Sequence, residues 1–140
     1  MSDDNIFVDT NILVYAYDID AGQKHEKARQ LVFDLWNADT FASISVQVLQ
    51  ELYATIIRRN GSQKAAREIV QDYLSWNIVD NTAALLMEGI HQKELWKISF
   101  WDALILAAAK QIKATMLWSE DFNHNQDYGG VIAVNPLISL

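Results

Sequence analysis

The stretch NIFVDTNILVYAY, residues 5–17, decides how the rest of the chain is read. Ile6, Phe7 and Val8 run without polar alternation straight into Asp9, the pattern of a strand covered on both faces rather than wetted on one. Thr10 and Asn11 break the run, and residues 12–17 turn helical. A short strand of this kind, giving way at once to helix, is the opening of a parallel crossover unit.

The same alternation recurs downstream. Lys24 to Trp36 repeats Ala28, Leu31, Val32, Leu35 and Trp36 on one helical face. FASIS (41–45) reads as a strand, and Val46 to Arg59 as a helix with Leu49, Leu52, Tyr53, Ile56 and Ile57 inward; Glu51 falls off that stripe. After the Asn60-Gly61 break, Ala66, Ile69, Val70, Tyr73 and Leu74 mark a further helix, followed by the strand candidate NIVD (77–80). A helix from about Thr82 to Trp96 precedes the most apolar helix of the chain, FWDALILAAAKQI, opened by Ser99. TMLW (115–118) and VIAV (131–134) close the pattern, separated by a polar loop with Tyr128-Gly129-Gly130. Strands spaced by helices of this length predict an α/β fold, a parallel or mostly parallel sheet covered on both sides.

With 140 residues and 51% hydrophobic content, residues 1–140 match a single domain able to bury a core without crosslinks. The absence of cysteine excludes a disulfide framework, a thiolate zinc site and a cysteine nucleophile, and fits a cytoplasmic setting. The acidic start MSDDNIFVDTN lacks the plan of a signal peptide, and no apolar run approaches the roughly 18 residues of a membrane helix. The expectation is a soluble, unexported protein with no membrane partner. A net charge of −7 argues against a broad basic surface for nucleic acid. Arg58, Arg59, Lys64 and Arg67 crowd the turn Asn60-Gly61-Ser62, where they read as solvated helix ends or as one local basic rim.

Four acids stand where an apolar strand ends or a helix begins: Asp9, Glu51, Asp102 and Asp121. A parallel sheet gathers such positions at its carboxyl edge. Asp9 follows the first strand and Asp121 stands three residues after TMLW; Asp102 and Glu51 lie early in helices that return to the same edge. Carboxylates brought that close repel one another and either take up protons or bind a hard cation. Each also has a structural explanation. Asp9 or Thr10 can cap a helix, Ser99 and Asp102 have capping-box spacing, Glu51 can be a solvated helix residue, and Asp121 can belong to a turn. Glu120, Asp127 and Asp80 compete as alternative acids. His25, His91 and His124 show no metal-ligand spacing and read as surface or capping residues.

NIFVDTNILVYAYD, SVQVLQELYATIIRR, SFWDALILAAAKQ and LWSEDFNHNQDYGGVIAVNP, in that order, resemble the motifs of PIN-domain nucleases, most closely the toxins of VapBC-type toxin–antitoxin pairs. The resemblance covers nearly the whole chain. It implies a sheet of about five parallel strands flanked by helices on both faces, and a metal-dependent endoribonuclease that hydrolyses phosphodiester bonds in RNA with Mg²⁺ or Mn²⁺. It maps the metal ligands and catalytic acids onto Asp9, Glu51, Asp102 and Asp121, with Asn11 and Ser119 supporting them and Asp127 as the alternative fourth acid. Asp9 and Asp102 would hold the principal ion, and Glu51 and Asp121 would complete the site or hold a second ion. It further implies a cognate VapB-type antitoxin and a homodimer, with the faces around Tyr53, Ile56 and Ile57 as core or interface. Two other readings fit part of the pattern. A haloacid-dehalogenase-type phosphatase needs a second Asp where Asn11 stands, and a catalytically weak PIN-fold regulator would bind nucleic acid or protein without turnover.

Overall fold

The computed structural model describes residues 5–38 and 41–138; the opening residues Met1–Asp4 lie outside them. Five strands, β1 (Asn5–Val8), β2 (Phe41–Ser45), β3 (Asn77–Val79), β4 (Met116–Trp118) and β5 (Ile132–Val134), form one sheet in the order β3-β2-β1-β4-β5. Every neighbouring pair is parallel, with Phe7 opposite Ser43 on one side and Leu117 on the other. Six helices connect them: α1 (Thr10–Tyr17) and α2 (Gln23–Asn37), α3 (Val46–Asn60) and α4 (Gln63–Tyr73), α5 (Ala83–Trp96) and α6 (Phe100–Gln111). A single 3₁₀ turn, Ile19–Ala21, joins α1 to α2.

The strand order carries the functional consequence. From β1 the chain steps outward to β2 and β3, then crosses back to β4 on the other side of β1, so that right-handed crossovers place helices on both faces. The direction of winding reverses between β1 and β4, which opens a crevice beyond their carboxyl ends. Central β1 is apolar because both its faces are covered: Phe7 and Val8 are wholly buried, as are Ile44 in β2 and Leu117 in β4.

Sequence and structure differ at element ends. The first helix starts at Thr10 rather than at residue 12, because Asp9 itself serves as its cap and the turn begins at once. Thr82 is the cap of α5 and not its first residue, its hydroxyl accepting from the Leu85 amide. Strand pairing trims TMLW, VIAV and NIVD to three residues each. In α3 the apolar stripe is narrower than its periodicity: Leu49, Leu52 and Ile56 are buried and Ile57 partly so, but Tyr53 is 39% exposed. Leu74 ends α4 as its exposed C-cap. Trp36, also partly exposed, packs against Tyr73 and Trp76 at ring separations of 5.3 and 5.2 Å, which closes the end of the core beneath α2. Among the described residues no helix is long and apolar enough to cross a membrane.

Candidate metal centre

Asp9 leaves β1 at the crevice and is 4% exposed. Its two oxygens are divided between two tasks. Oδ1 accepts from the Thr10 amide at 2.7 Å and caps α1, while Oδ2 accepts from the Ser119 hydroxyl at 2.7 Å. A carboxylate offers about four lone-pair sites, so two hydrogen bonds leave acceptor capacity for a cation. Ser119, itself buried at the end of β4, also accepts from the Asp121 amide at 3.0 Å. One hydroxyl therefore ties the acid after β1 to the acid after β4.

Asp121 is exposed, and its Oδ2 accepts from the Asn11 side-chain amide at 2.9 Å. Asn11 also accepts, through Oδ1, from the Glu120 amide at 3.4 Å, so the first turn of α1 grips the loop after β4 twice. Asp102 enters from the first turn of α6, where the Ser99 hydroxyl accepts its backbone amide at 3.1 Å. The cap is thus made by Ser99 and the backbone of Asp102, and the carboxylate of Asp102 lies beside those of Asp9 and Asp121. Asp9, Asp102 and Asp121 each offer an oxygen within 4.8 Å of the other two.

Glu51 stands apart from this trio. It is exposed in the second turn of α3, and its Oε1 accepts from the Thr10 hydroxyl at 2.6 Å. The acid expected to help complete the site therefore lies at its rim, held by a residue of α1, while Asp121 joins Asp9 and Asp102 in the centre. Glu51 is still near enough for its charge to raise Asp102.

Of the alternative acids, Glu120 and Asp127 are engaged otherwise, and Asp80 is exposed after β3. Glu120 accepts from the Tyr15 hydroxyl at 2.8 Å and pairs with Lys24 at 2.8 Å, and Lys24 lies 5.0 Å from the centre of the Tyr15 ring. Asp127 accepts from the Gly130 amide at 2.7 Å, pinning a turn in which Gly129 and Gly130 adopt positive φ. His25 contacts the Tyr15 carbonyl and His124 accepts from the Asn135 amide, both consistent with structural roles. Of the basic crowd, Arg59 pairs with Asp18, while Arg58 lines the same groove as Glu51 and Asp121. The Tyr15, Lys24 and Glu120 cluster was not foreseen, since nothing in sequence spacing links Lys24 to an acid after β4.

Electrostatics follow from the packing. Burial pushes the Asp9 carboxyl up from 3.8 to about 7, opposed by the Ser119 and Thr10 hydrogen bonds and assisted by the charges of Asp121 and Asp102. Asp102 is raised too, by burial first, then by Asp121 and Glu51, with Ser99 pulling it down. The donor set is all oxygen, clustered and short of compensating cations among its contacts, which suits Mg²⁺ or Mn²⁺ and not a softer metal.

The PIN domain family model matches residues 6–126. This chain belongs to the PIN domain family. Its fold is similar to that of a toxin–antitoxin complex from Klebsiella pneumoniae, with 21% identity, a TM-score of 0.69 and coverage of 94% of this chain and 98% of the other. A sarcin–ricin-loop-cleaving VapC toxin of Mycobacterium tuberculosis is similar at 23% identity and a TM-score of 0.65, covering 84% and 90% of the two chains. VapBC2 of Rickettsia felis, bound to a promoter DNA fragment, is similar at 21% identity and a TM-score of 0.64, covering 91% and 96%. No curated protein matches the sequence at a significant level. Within the PIN fold of this chain, the crevice between β1 and β4 is where the three carboxylates meet.

Proposed function

We propose that this PIN domain is a divalent-metal-dependent endoribonuclease and the toxin of a VapBC-type toxin–antitoxin pair. The observation that carries the reading is the convergence of Asp9, Asp102 and Asp121, from three separate parts of the chain, on one crevice at the winding reversal of the sheet. These three residues would hold Mg²⁺ or Mn²⁺, and Glu51 would extend the site at its rim. Such an ion, when bound, supplies an acidified water and positive charge beside a phosphodiester.

The protein's own part is placement. Ser119 fixes the rotation of the Asp9 carboxylate and the backbone at Asp121, Asn11 holds the Asp121 side chain, and Thr10 holds Glu51. Buried Asp9 has little freedom to turn away, so the acceptor set is organised before any ligand arrives. Ser119→Ala deletes one hydroxyl and is expected to leave the fold intact while lowering metal affinity and cleavage by about ten- to a hundredfold, as loss of ligand-orienting contacts does elsewhere. Isothermal titration with Mn²⁺ and a cleavage assay measure the two losses; a variant equal to the parent in both would remove Ser119 from the site.

The toxin assignment rests on the VapBC and related complexes among the similar folds. In the cell the cytoplasm would supply RNA, and a cognate antitoxin would place a cationic side chain, best an Arg, against the acids in competition with the metal. A homodimer is part of the same proposal, with exposed Tyr53 as its candidate contact. Sedimentation that finds only monomer at working concentrations would remove the dimer. The whole reading is tested by incubating the purified protein with RNA in Mg²⁺ or Mn²⁺. Cutting that stops on addition of EDTA supports it, and cutting that survives EDTA contradicts it.

A further inference from the structure

A second groove opens nearer the start of α3 than the one that Arg58 shares with Glu51 and Asp121. Its walls are the side chains of Gln47 and Gln50 from α3, Leu86 from α5, and Phe100, Trp101 and Leu104 from α6. Trp101 is 63% exposed, an unusual position for an indole on a protein of this size. Its ring meets Phe100 edge to face at 5.1 Å, which limits its freedom without covering it.

The groove is tied to the acid cluster by the chain itself. Trp101 immediately precedes Asp102, and the Gln47 side chain donates to the Trp101 carbonyl at 3.3 Å, fixing the start of α6 against α3. Gln47 in turn stands four residues before Glu51, on the same helical face. An aromatic platform and side-chain amides therefore lie within about one helical turn of two of the acids. The Gln50 carbonyl oxygen accepts from Asn81 at 3.3 Å, and its amide donors have no partner among the described residues.

We infer that this groove binds a nucleobase of single-stranded RNA beside the phosphate to be cut, with Trp101 as the stacking platform and the Gln47 and Gln50 amides as hydrogen-bonding partners to its edge. The inference rests on the ribonuclease reading above and adds a positioning residue to it. Unpaired bases stack on aromatic side chains and are read by groups that donate and accept, and this groove offers both. A second protein is a poorer occupant. Nine residues line the groove, against the 20–30 a side of a stable protein interface.

The test compares the parent with Trp101→Ala and Trp101→Phe. The probes are short uridine-rich single-stranded RNA, the same RNA with 4-thiouridine for photo-crosslinking, and an abasic ribose-phosphate oligomer. Trp101→Ala is expected to bind the RNA roughly ten- to a hundredfold more weakly, through KM rather than kcat in cleavage. Trp101→Phe should recover most of the loss, and the abasic oligomer should bind all three proteins alike. Crosslinked peptides should contain Trp101. Unchanged RNA binding by Trp101→Ala, absence of RNA binding by the parent, or a change of oligomeric state on sedimentation in place of a change in RNA affinity would each overturn the inference. Its failure is distinguishable from that of the nuclease reading. EDTA-sensitive cleavage with normal binding by Trp101→Ala removes only the platform. A Trp101 crosslink without cleavage keeps the platform and removes the nuclease.

Discussion

Asp102→Asn is expected to give a folded protein whose Mg²⁺- or Mn²⁺-dependent RNA cleavage has fallen by roughly a hundred- to ten-thousandfold, the scale on which metal ions contribute to phosphoryl chemistry. The substitution keeps size and the backbone amide that donates to Ser99, so the cap of α6 survives. It removes one of three charged oxygens gathered within 4.8 Å and leaves Asp9 and Asp121 in place. Asp102 is only half-buried, and the hydrogen bond that Ser99 offers its carboxylate can be made to an Asn side chain as well. Loss of activity through misfolding is therefore the outcome that the geometry disfavours. Thermal melts should confirm a folded variant, with the metal-free form no less stable than the parent, because a like charge beside Asp9 and Asp121 has gone. Cleavage at the parental rate by a protein purified free of contaminating nuclease would mean that Asp102 has no part in the chemistry.

The second large effect concerns Asp9 and separates stability from function. Its folded carboxyl titrates at about 7 against 3.8 for an unperturbed side chain. Between those values the folded protein holds a proton that the unfolded chain has released. The stability Asp9 contributes is thus fully present below about pH 4 and is lost as pH rises through 7. The span corresponds to about 4 kcal/mol at most. In chelator, the parent should lose stability relative to Asp9→Asn as pH rises from about 4 to about 7, since Asn cannot ionise and still accepts from the Thr10 amide. Comparing the two proteins cancels the other carboxylates. Adding Mn²⁺ at pH 8 should restore the melting temperature of the parent and leave that of Asp9→Asn nearly unchanged, because only the parent binds the ion tightly. Asp9→Asn should at the same time be inactive. A stability difference that does not vary with pH would show that burial does not raise this carboxyl.

How much of this was legible in the chain depends on how local each determinant is. The unalternating run Ile6-Phe7-Val8 into Asp9 predicts a two-sided strand and a crevice acid, and β1 is the central strand with Asp9 at its end. The parallel sheet follows from spacing alone. Helix starts were less legible where one residue does two things: Asp9 caps α1 and also faces the cluster, so the capping and the functional reading coexist. The same holds for Ser99 and Asp102. What sequence spacing could not rank was the set of acids. Asp121 and Asp127 lie in one loop, and only the contacts of Ser119 and Asn11, more than a hundred residues apart, place Asp121 in the trio, while Asp127 holds a glycine turn. Glu51 was expected to complete the site beside Asp9 and Asp102, and a hydroxyl on α1 holds it next to the trio. The engagement of Glu120 by Tyr15 and Lys24 is likewise a product of tertiary packing with no local signal.

In the function proposed here, Asp9, Asp102 and Asp121 together hold a divalent cation. Crystals of the protein grown with Mn²⁺ and measured at a wavelength where manganese scatters anomalously address it without reference to activity. An anomalous peak is expected among the three carboxylates, at distances of about 2 Å from their oxygens, and is expected to vanish in Asp102→Asn. A map with no peak between them, or with its manganese bound elsewhere and these side chains turned apart, would contradict it.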